Sequence, residues 1–284
     1  MLSNGCVRRA VVGFTGVMLC VGAAVGGQTP WAERIVRYVP GTTPVAGYAD
    51  PATVLGSPER FSGESDYGGV YASVVSMFNP AWGTDELVSI GEGGALVVEL
   101  DTPATNDAAH LYGVDLIIFG NGGFADAAWP AGRVSNPAVL LGTETMRVAV
   151  SADGQDFVTL GDLAEGLFPT QGYLDSGPYD TVPGSLRSDF LKPMNPALTL
   201  ADFAGLTYAQ ALALYDGSGG GTPIDIATTG LSSVRYVRID VPDDGNAGTS
   251  LHAEIDGFAT VPEPATVTLL ALAAVSGLVR RRGR

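Results

Sequence analysis

Cysteine is almost missing from this 284-residue chain, and the two present, Cys6 and Cys20, both fall near its start. Everything after them lacks a disulfide framework and a thiolate metal site, and has to be held by its core alone. Basic residues are scarce, with 15 Lys and Arg against 30 Asp and Glu. Phosphate contacts need clustered Lys and Arg, so nucleic acid is disfavoured as a partner, and anionic membrane surfaces are disfavoured for the same reason. The acidic residues are scattered and mostly read as solvated surface, which leaves divalent cations, neutral sugars or simple solubility as their use. Catalytic signatures are also missing. There is no Gly-x-Ser-x-Gly elbow, no His-Glu-x-x-His and no phosphate-binding loop, and His110 and His252 stand apart from any nucleophile motif. A carboxylate pair for glycoside hydrolysis would leave no mark in the sequence, because the spacing of two acids across a fold is invisible there.

What is present begins at the two ends. Arg8 and Arg9 precede an apolar run over residues 10–24, and small residues follow before Gln28. A charged head, an apolar middle and a small-residue exit read as a signal peptide over residues 1–27; the competing reading is a buried N-terminal helix. Leu19 stands before Cys20 where a lipoprotein would place a small residue. At the other end, Val261-Pro262-Glu263-Pro264 leads into an apolar stretch over residues 265–279 and then Arg280-Arg281-Arg282-Gly283-Arg284. As a helix, those apolar residues span about 22 Å, short of the roughly 20 residues a comfortable membrane crossing uses. The arginines would stay on the cytoplasmic side and leave the body outside. Pro262 and Pro264 keep the preceding chain extended and open to a processing enzyme. With Arg8, Arg9, Arg280, Arg281, Arg282, Arg284 and Glu263 set aside, the body carries nine basic and 29 acidic residues, a net charge of −20.

These last 24 residues resemble a PEP-CTERM sorting signal, whose parts are Pro-Glu-Pro, a short hydrophobic helix and an arginine cluster. The resemblance implies Pro262, Glu263, Pro264, Arg280, Arg281 and Arg282 as the signal, and an exosortase-type membrane transpeptidase as a transient partner. It also implies cleavage near Pro264 in a Gram-negative bacterium that makes extracellular polysaccharide. A permanent C-terminal anchor is the alternative.

Between the ends, residues 28–260 read as one β domain. Strand-length runs rich in β-branched residues occur at 95–100, 114–119 and 234–239. Residues 146–151 and 157–160 flank Asp153-Gly154, a pair suited to a tight hairpin turn. Alternating long helices are missing, so the pattern predicts an antiparallel β-sandwich rather than a parallel α/β sheet. One short helix is predicted over 208–215, because Thr207 and Gln210 form a capping box before it. The surrounding region, about 161–222, reads as long loops decorating one end of the sandwich.

Several segments are similar to a family of bacterial surface proteins that often carry such tails. They are Gly47-Tyr48-Ala49-Asp50-Pro51, Leu55-Gly56-Ser57-Pro58, Ser89-Ile90-Gly91-Glu92-Gly93-Gly94, Val148-Ala149-Val150-Ser151-Ala152-Asp153-Gly154 and Glu254-Ile255-Asp256-Gly257-Phe258. The resemblance implies a discoidin or galactose-binding-like jelly roll, the fold of many carbohydrate-binding modules. Where that family's Phe-Glu-Asn-Gly-Phe is expected, this chain has Phe119-Gly120-Asn121-Gly122-Gly123-Phe124, without the acidic residue.

Two kinds of site follow. His252, Glu254 and Asp256 alternate with apolar residues and share one face of an extended chain. Calcium takes six to eight oxygens, which carboxylates and loop carbonyls can supply. The resemblance implies a structural calcium joining Asp50, in an N-terminal loop, to Glu254 on the last strand, with Asp256 beside it; a plain solvent-facing edge is the alternative. Asp243-Asp244-Gly245-Asn246 lacks the bidentate Glu of an EF-hand and reads as a turn. Sugar binding would use exposed aromatics, and Trp82, Trp129, Tyr173 and Tyr179 lie in loop-like segments, where they either stack on sugars or pin loops to the core. Trp31 reads as core. The expected function is a non-catalytic, carbohydrate-binding-type module of a secreted surface or matrix protein, with extracellular polysaccharide as a partner. A glycan-acting hydrolase or lyase, and a matrix protein without a ligand, remain the alternatives.

Overall fold

A computed structural model describes residues 28–62, 72–142, 145–164, 166–243 and 251–263. The signal-peptide segment and the tail from Pro264 onward lie outside the described residues. The strands in chain order are β1 (Ala32–Val39), β2 (Phe61–Ser62), β3 (Ser73–Val74), β4 (Val88–Gly91), β5 (Ala95–Thr105), β6 (Leu116–Gly120), β7 (Gly123–Phe124), β8 (Leu140–Leu141), β9 (Thr145–Ser151), β10 (Val158–Ala164), β11 (Thr222–Ile224), β12 (Ser233–Asp240) and β13 (His252–Thr260). Two sheets face each other, one ordered β1-β5-β12-β9-β10 and the other β11-β6-β13-β4, and every neighbouring pair is antiparallel.

The pairing is nested. β4 pairs with β13, β5 with β12, β6 with β11 and β9 with β10, so each hydrogen-bonded pair encloses the next in sequence. That nesting is the jelly roll, and β1 extends the larger sheet at its edge. Strand alternation builds the core between the sheets. Leu96, Val98 and Leu100 of β5, Val148 and Val150 of β9 and Val237 and Ile239 of β12 meet Val88 and Ile90 of β4, Leu116 and Ile118 of β6, and Ala253, Ile255 and Phe258 of β13.

The outer faces differ. On β5, Glu99 points outward and, though only 8% exposed, bonds Arg34 and Arg235 from neighbouring strands, a polar face. On β6 the outward residues are Ile117 and Phe119, and they are buried. Phe190 packs on Phe119 with ring centroids 5.2 Å apart, and Arg60 lies 3.7 Å over the Phe190 ring. The region expected to decorate one end of the sandwich therefore lies against the outer face of the smaller sheet and closes further cores. One of them gathers Met77, Phe78, Phe124, Phe168, Phe203 and Tyr215. The physical reason is the continuous apolar run of β6, which has an apolar side chain to bury on each face.

The helix predicted over 208–215 forms as α2 (Tyr208–Tyr215), with Thr207 and Gln210 in the capping box. A shorter turn of helix, α1 (Leu200–Phe203), precedes it with its own capping box from Thr199 and Asp202. The hairpin around Asp153-Gly154 also forms, with Asp153 Oδ1 accepting from the amides of Gln155 and Asp156. The body's ends meet: Trp31 bridges to Ala259, and the amide of Thr260 donates to Pro30 O at 2.8 Å.

Candidate functional site: a cleft beside Trp82

Outside the covered part of the smaller sheet lies a cleft of about 180 Å3, lined by Phe78, Pro80 and Trp82, by Asn121 and Phe124, by Leu141 and by Glu254, with backbone from Gly123 and Gly142. The β13 alternation sends Ala253 and Ile255 into the core and turns Glu254 outward. Glu254 thus enters from the sheet, whereas Phe78 and Trp82 come from the chain before β4 and Phe124 from β7.

Trp82 is held from behind. Glu86 is buried, and its Oε2 accepts from the amides of Trp82 at 3.0 Å and Gly83 at 2.7 Å and from Ser62 Oγ at 2.8 Å. The Tyr48 hydroxyl donates to the Trp82 carbonyl at 2.7 Å. A side chain at residue 83 would collide with the Glu86 carboxylate at 2.7 Å, so the turn needs its glycine. With its backbone fixed this way, the Trp82 indole remains 41% exposed at the rim. Opposite it, Gly142 adopts φ 68°, and a Cβ there would press on Asn121 Oδ1 at 3.3 Å. An aromatic face, an amide and a carboxylate therefore share one small recess.

Among known proteins, no family profile matches the chain, and no curated protein matches it in sequence. Solved structures do match. One is a pectin-binding carbohydrate-binding module, 13% identical, with a TM-score of 0.22, covering 63% of this chain and 73% of that one. Another is the C-terminal domain of a chitobiase from Bacteroides fragilis, 13% identical, with a TM-score of 0.26, covering 83% of this chain and 97% of that one. Likenesses this distant leave the function to be argued from the residues of this chain.

The other aromatics separate. Trp129 is 75% exposed and lies 6.4 Å from the Tyr179 ring, away from the cleft lining. Tyr179 is half-buried, and its hydroxyl donates to Asp126 Oδ2 at 3.0 Å; burial and that carboxylate push the phenol well up. Asp126 also accepts from the amides of Ala128, Gly132 and Arg133, so Tyr179 serves the loop that carries Trp129. Tyr173 is 8% exposed and offers no face for stacking, which removes it from the binding set. Trp31 packs against the Phe119–Phe190 cluster, as expected of a core residue.

Asp50, Glu254 and Asp256, expected to share a calcium, do not form a group of three side chains close enough to hold one ion among the described residues. Asp50 caps the turn Pro51–Val54, its Oδ1 accepting from the amide of Ala52. Glu254 faces the cleft, 3.9 Å from His252 Nε2. Asp256 is buried and takes the amide of Glu59 on Oδ1, while Oδ2 has no partner. Burial, with Glu59 and Glu86 nearby, pushes the Asp256 carboxyl well above the usual carboxylate range. Burial likewise raises Glu59, aided by Glu86 and Asp85. A bulge between Ile255 and Gly257 interrupts the alternation there; Glu254 lines the cleft, whereas Asp256 takes the amide of Glu59. Among the described residues, the group of three acidic or histidine side chains close enough to share an ion is Asp107, His110 and Glu263, at the other end of the body.

Sequence reasoning named Trp82 and Glu254 for separate roles and missed Asn121, Phe78, Phe124 and Leu141. The glycine-flanked Asn121 was the available signal, since a polar residue bracketed by glycines just after a buried strand marks backbone shaped around something.

Proposed function

We propose that this chain is an exported surface protein whose jelly-roll body holds a neutral extracellular glycan in the Trp82 cleft without cleaving it. The observation that carries the reading is an exposed indole on a pinned turn, facing an amide and a carboxylate. A pyranose presents C–H groups to an aromatic face and hydroxyls to polar side chains, and the recess offers both. It is smaller than the roughly 300–1,000 Å3 of pockets for drug-sized ligands, which suits one sugar ring of a longer chain. The acidic balance of the body and Glu254 itself favour a neutral sugar over a uronate. Glu254 is the one carboxylate lining the cleft among the described residues, whereas glycoside hydrolysis uses a pair. Export and sorting rest on the two terminal segments, with cleavage near Pro264 by an exosortase-type enzyme.

A glycan array tests the binding. The wild-type chain should be retained on at least one class of neutral polysaccharide, and Trp82→Ala should lose about tenfold or more of that signal while Trp129→Ala keeps it. Equal retention of Trp82→Ala would remove the cleft from the account. Release of reducing ends from the bound polysaccharide would favour the hydrolase instead.

A further inference from the structure

At the end of the body away from the cleft, the loop leaving β5 meets the chain that follows β13. The fully buried Asp115 organises the meeting. Its Oδ2 accepts from the amide of Ile226 at 3.0 Å, and its Oδ1 accepts from the amide of Asp107 at 3.2 Å and lies 2.7 Å from His110 Nδ1. With both oxygens of this carboxylate accepting, His110 Nδ1 donates to Asp115 and the ring turns Nε2 to the opposite side.

That Nε2 is buried in a residue 3% exposed, and it has no hydrogen-bond partner. It is aimed at carboxylates. Glu263 Oε2 lies 3.8 Å away, too long for a hydrogen bond, and one ligand atom each from Asp107, His110 and Glu263 falls within 4.8 Å of the others. Each carboxylate is already oriented: Asp107 Oδ1 accepts from the amide of Ala109 at 2.8 Å, and Glu263 Oε1 accepts from Thr105 Oγ1 at 2.6 Å. Among the described residues no Lys or Arg pairs with Asp107, Asp115 or Glu263. A buried imidazole nitrogen and two carboxylates that share a hydrogen bond thus converge on one point.

We propose that Asp107, His110 and Glu263 bind a divalent first-row transition ion, zinc foremost, with Asp115 as the carboxylate that orients the histidine. Zinc bonds nitrogen and oxygen at about 2.0–2.2 Å, so an ion between Nε2 and Oε2 spans a separation of about 4 Å. One imidazole and two carboxylates leave a fourth, tetrahedral position for water. An imidazole ligand separates this site from calcium and magnesium, which take oxygen. The ion would tie the loop between β5 and β6 to Glu263, and so fix the chain where it leaves the sandwich.

The test is calorimetric titration of zinc into the purified, untagged full-length chain after chelation, with cobalt(II) as a spectroscopic probe. One equivalent should bind, cobalt should show ligand-field bands, and a large excess of calcium should not displace either ion. Asp107→Asn and Glu263→Gln lie on the surface side of the site and should fold normally, each weakening zinc about tenfold or more. His110→Gln should abolish the cobalt bands, with circular dichroism reporting whether that buried change also disturbs the fold. The site would be overturned by absence of a stoichiometric heat, by zinc binding that both carboxylate variants leave unchanged, or by displacement with calcium.

Discussion

Glu86 is a buried carboxylate whose work is local: it gathers the amides of Trp82 and Gly83 and the Ser62 hydroxyl. Replacing it with Ala would leave buried donors unpaired, so Glu86→Ala should cost about 2–3 kcal/mol in urea unfolding, and should weaken glycan binding without touching the cleft wall. Asp256 shows the opposite case. Its Oδ2 is buried without a partner, and Glu59 and Glu86 add like charge. Its folded pKa lies above the unfolded one, so the protonated acid suits the fold. The contribution to stability is fully present below the unfolded pKa and is lost as pH rises through the folded one. Asp256→Asn, which cannot ionise, should therefore raise the melting temperature in alkaline buffer and change it little in acid. A calcium ion on Asp256 would reverse that sign in calcium-containing buffer, because the variant would then lose a ligand.

At the scale of elements, α2 shows how a local signal survives into the structure. Thr207 and Gln210 were legible as a cap, and the box forms with Thr207 Oγ1 accepting from the Gln210 amide. Thr207→Ala should cost about 1 kcal/mol, read as a shift in the urea midpoint with an unchanged slope. The β9–β10 hairpin and the strand character of β5, β6 and β12 were legible for the same reason, since alternation and turn residues are local facts. What covers β6 was not. Phe168, Phe190 and Phe203 are spaced without a period, so nothing in their order says that they lie over Ile117 and Phe119 or pack as a second core. The candidate site divides in the same way. Trp82 and Glu254 each drew attention by type and setting, but their sharing one recess depends on how β13 lies beside the chain before β4, a tertiary fact. Likewise His110 looked isolated because Glu263, which comes within 3.8 Å of it, arrives from the far end of the body.

In the whole molecule, the nested pairing brings the start of β1 and the end of β13 side by side, with Trp31 against Ala259. The described chain therefore begins and ends in one region of the body. Mass spectrometry of the protein from its native host should find the chain ending near Pro264; recovery of Arg284 would favour a permanent anchor. The circular dichroism of the body should be dominated by β structure, with helix well below the globular average of about one third. The central claim, that a glycan lies against Trp82, is open to one direct measurement. The chain has three tryptophans, Trp31 in a core cluster, Trp129 on a separate loop and Trp82 at the cleft. Titrating the glycan found on the array should change the intrinsic fluorescence of the wild type and of Trp129→Phe alike, and should leave Trp82→Phe unchanged. A saturable change that persists in Trp82→Phe and disappears in Trp129→Phe would contradict the account and move the binding face to the Trp129 loop.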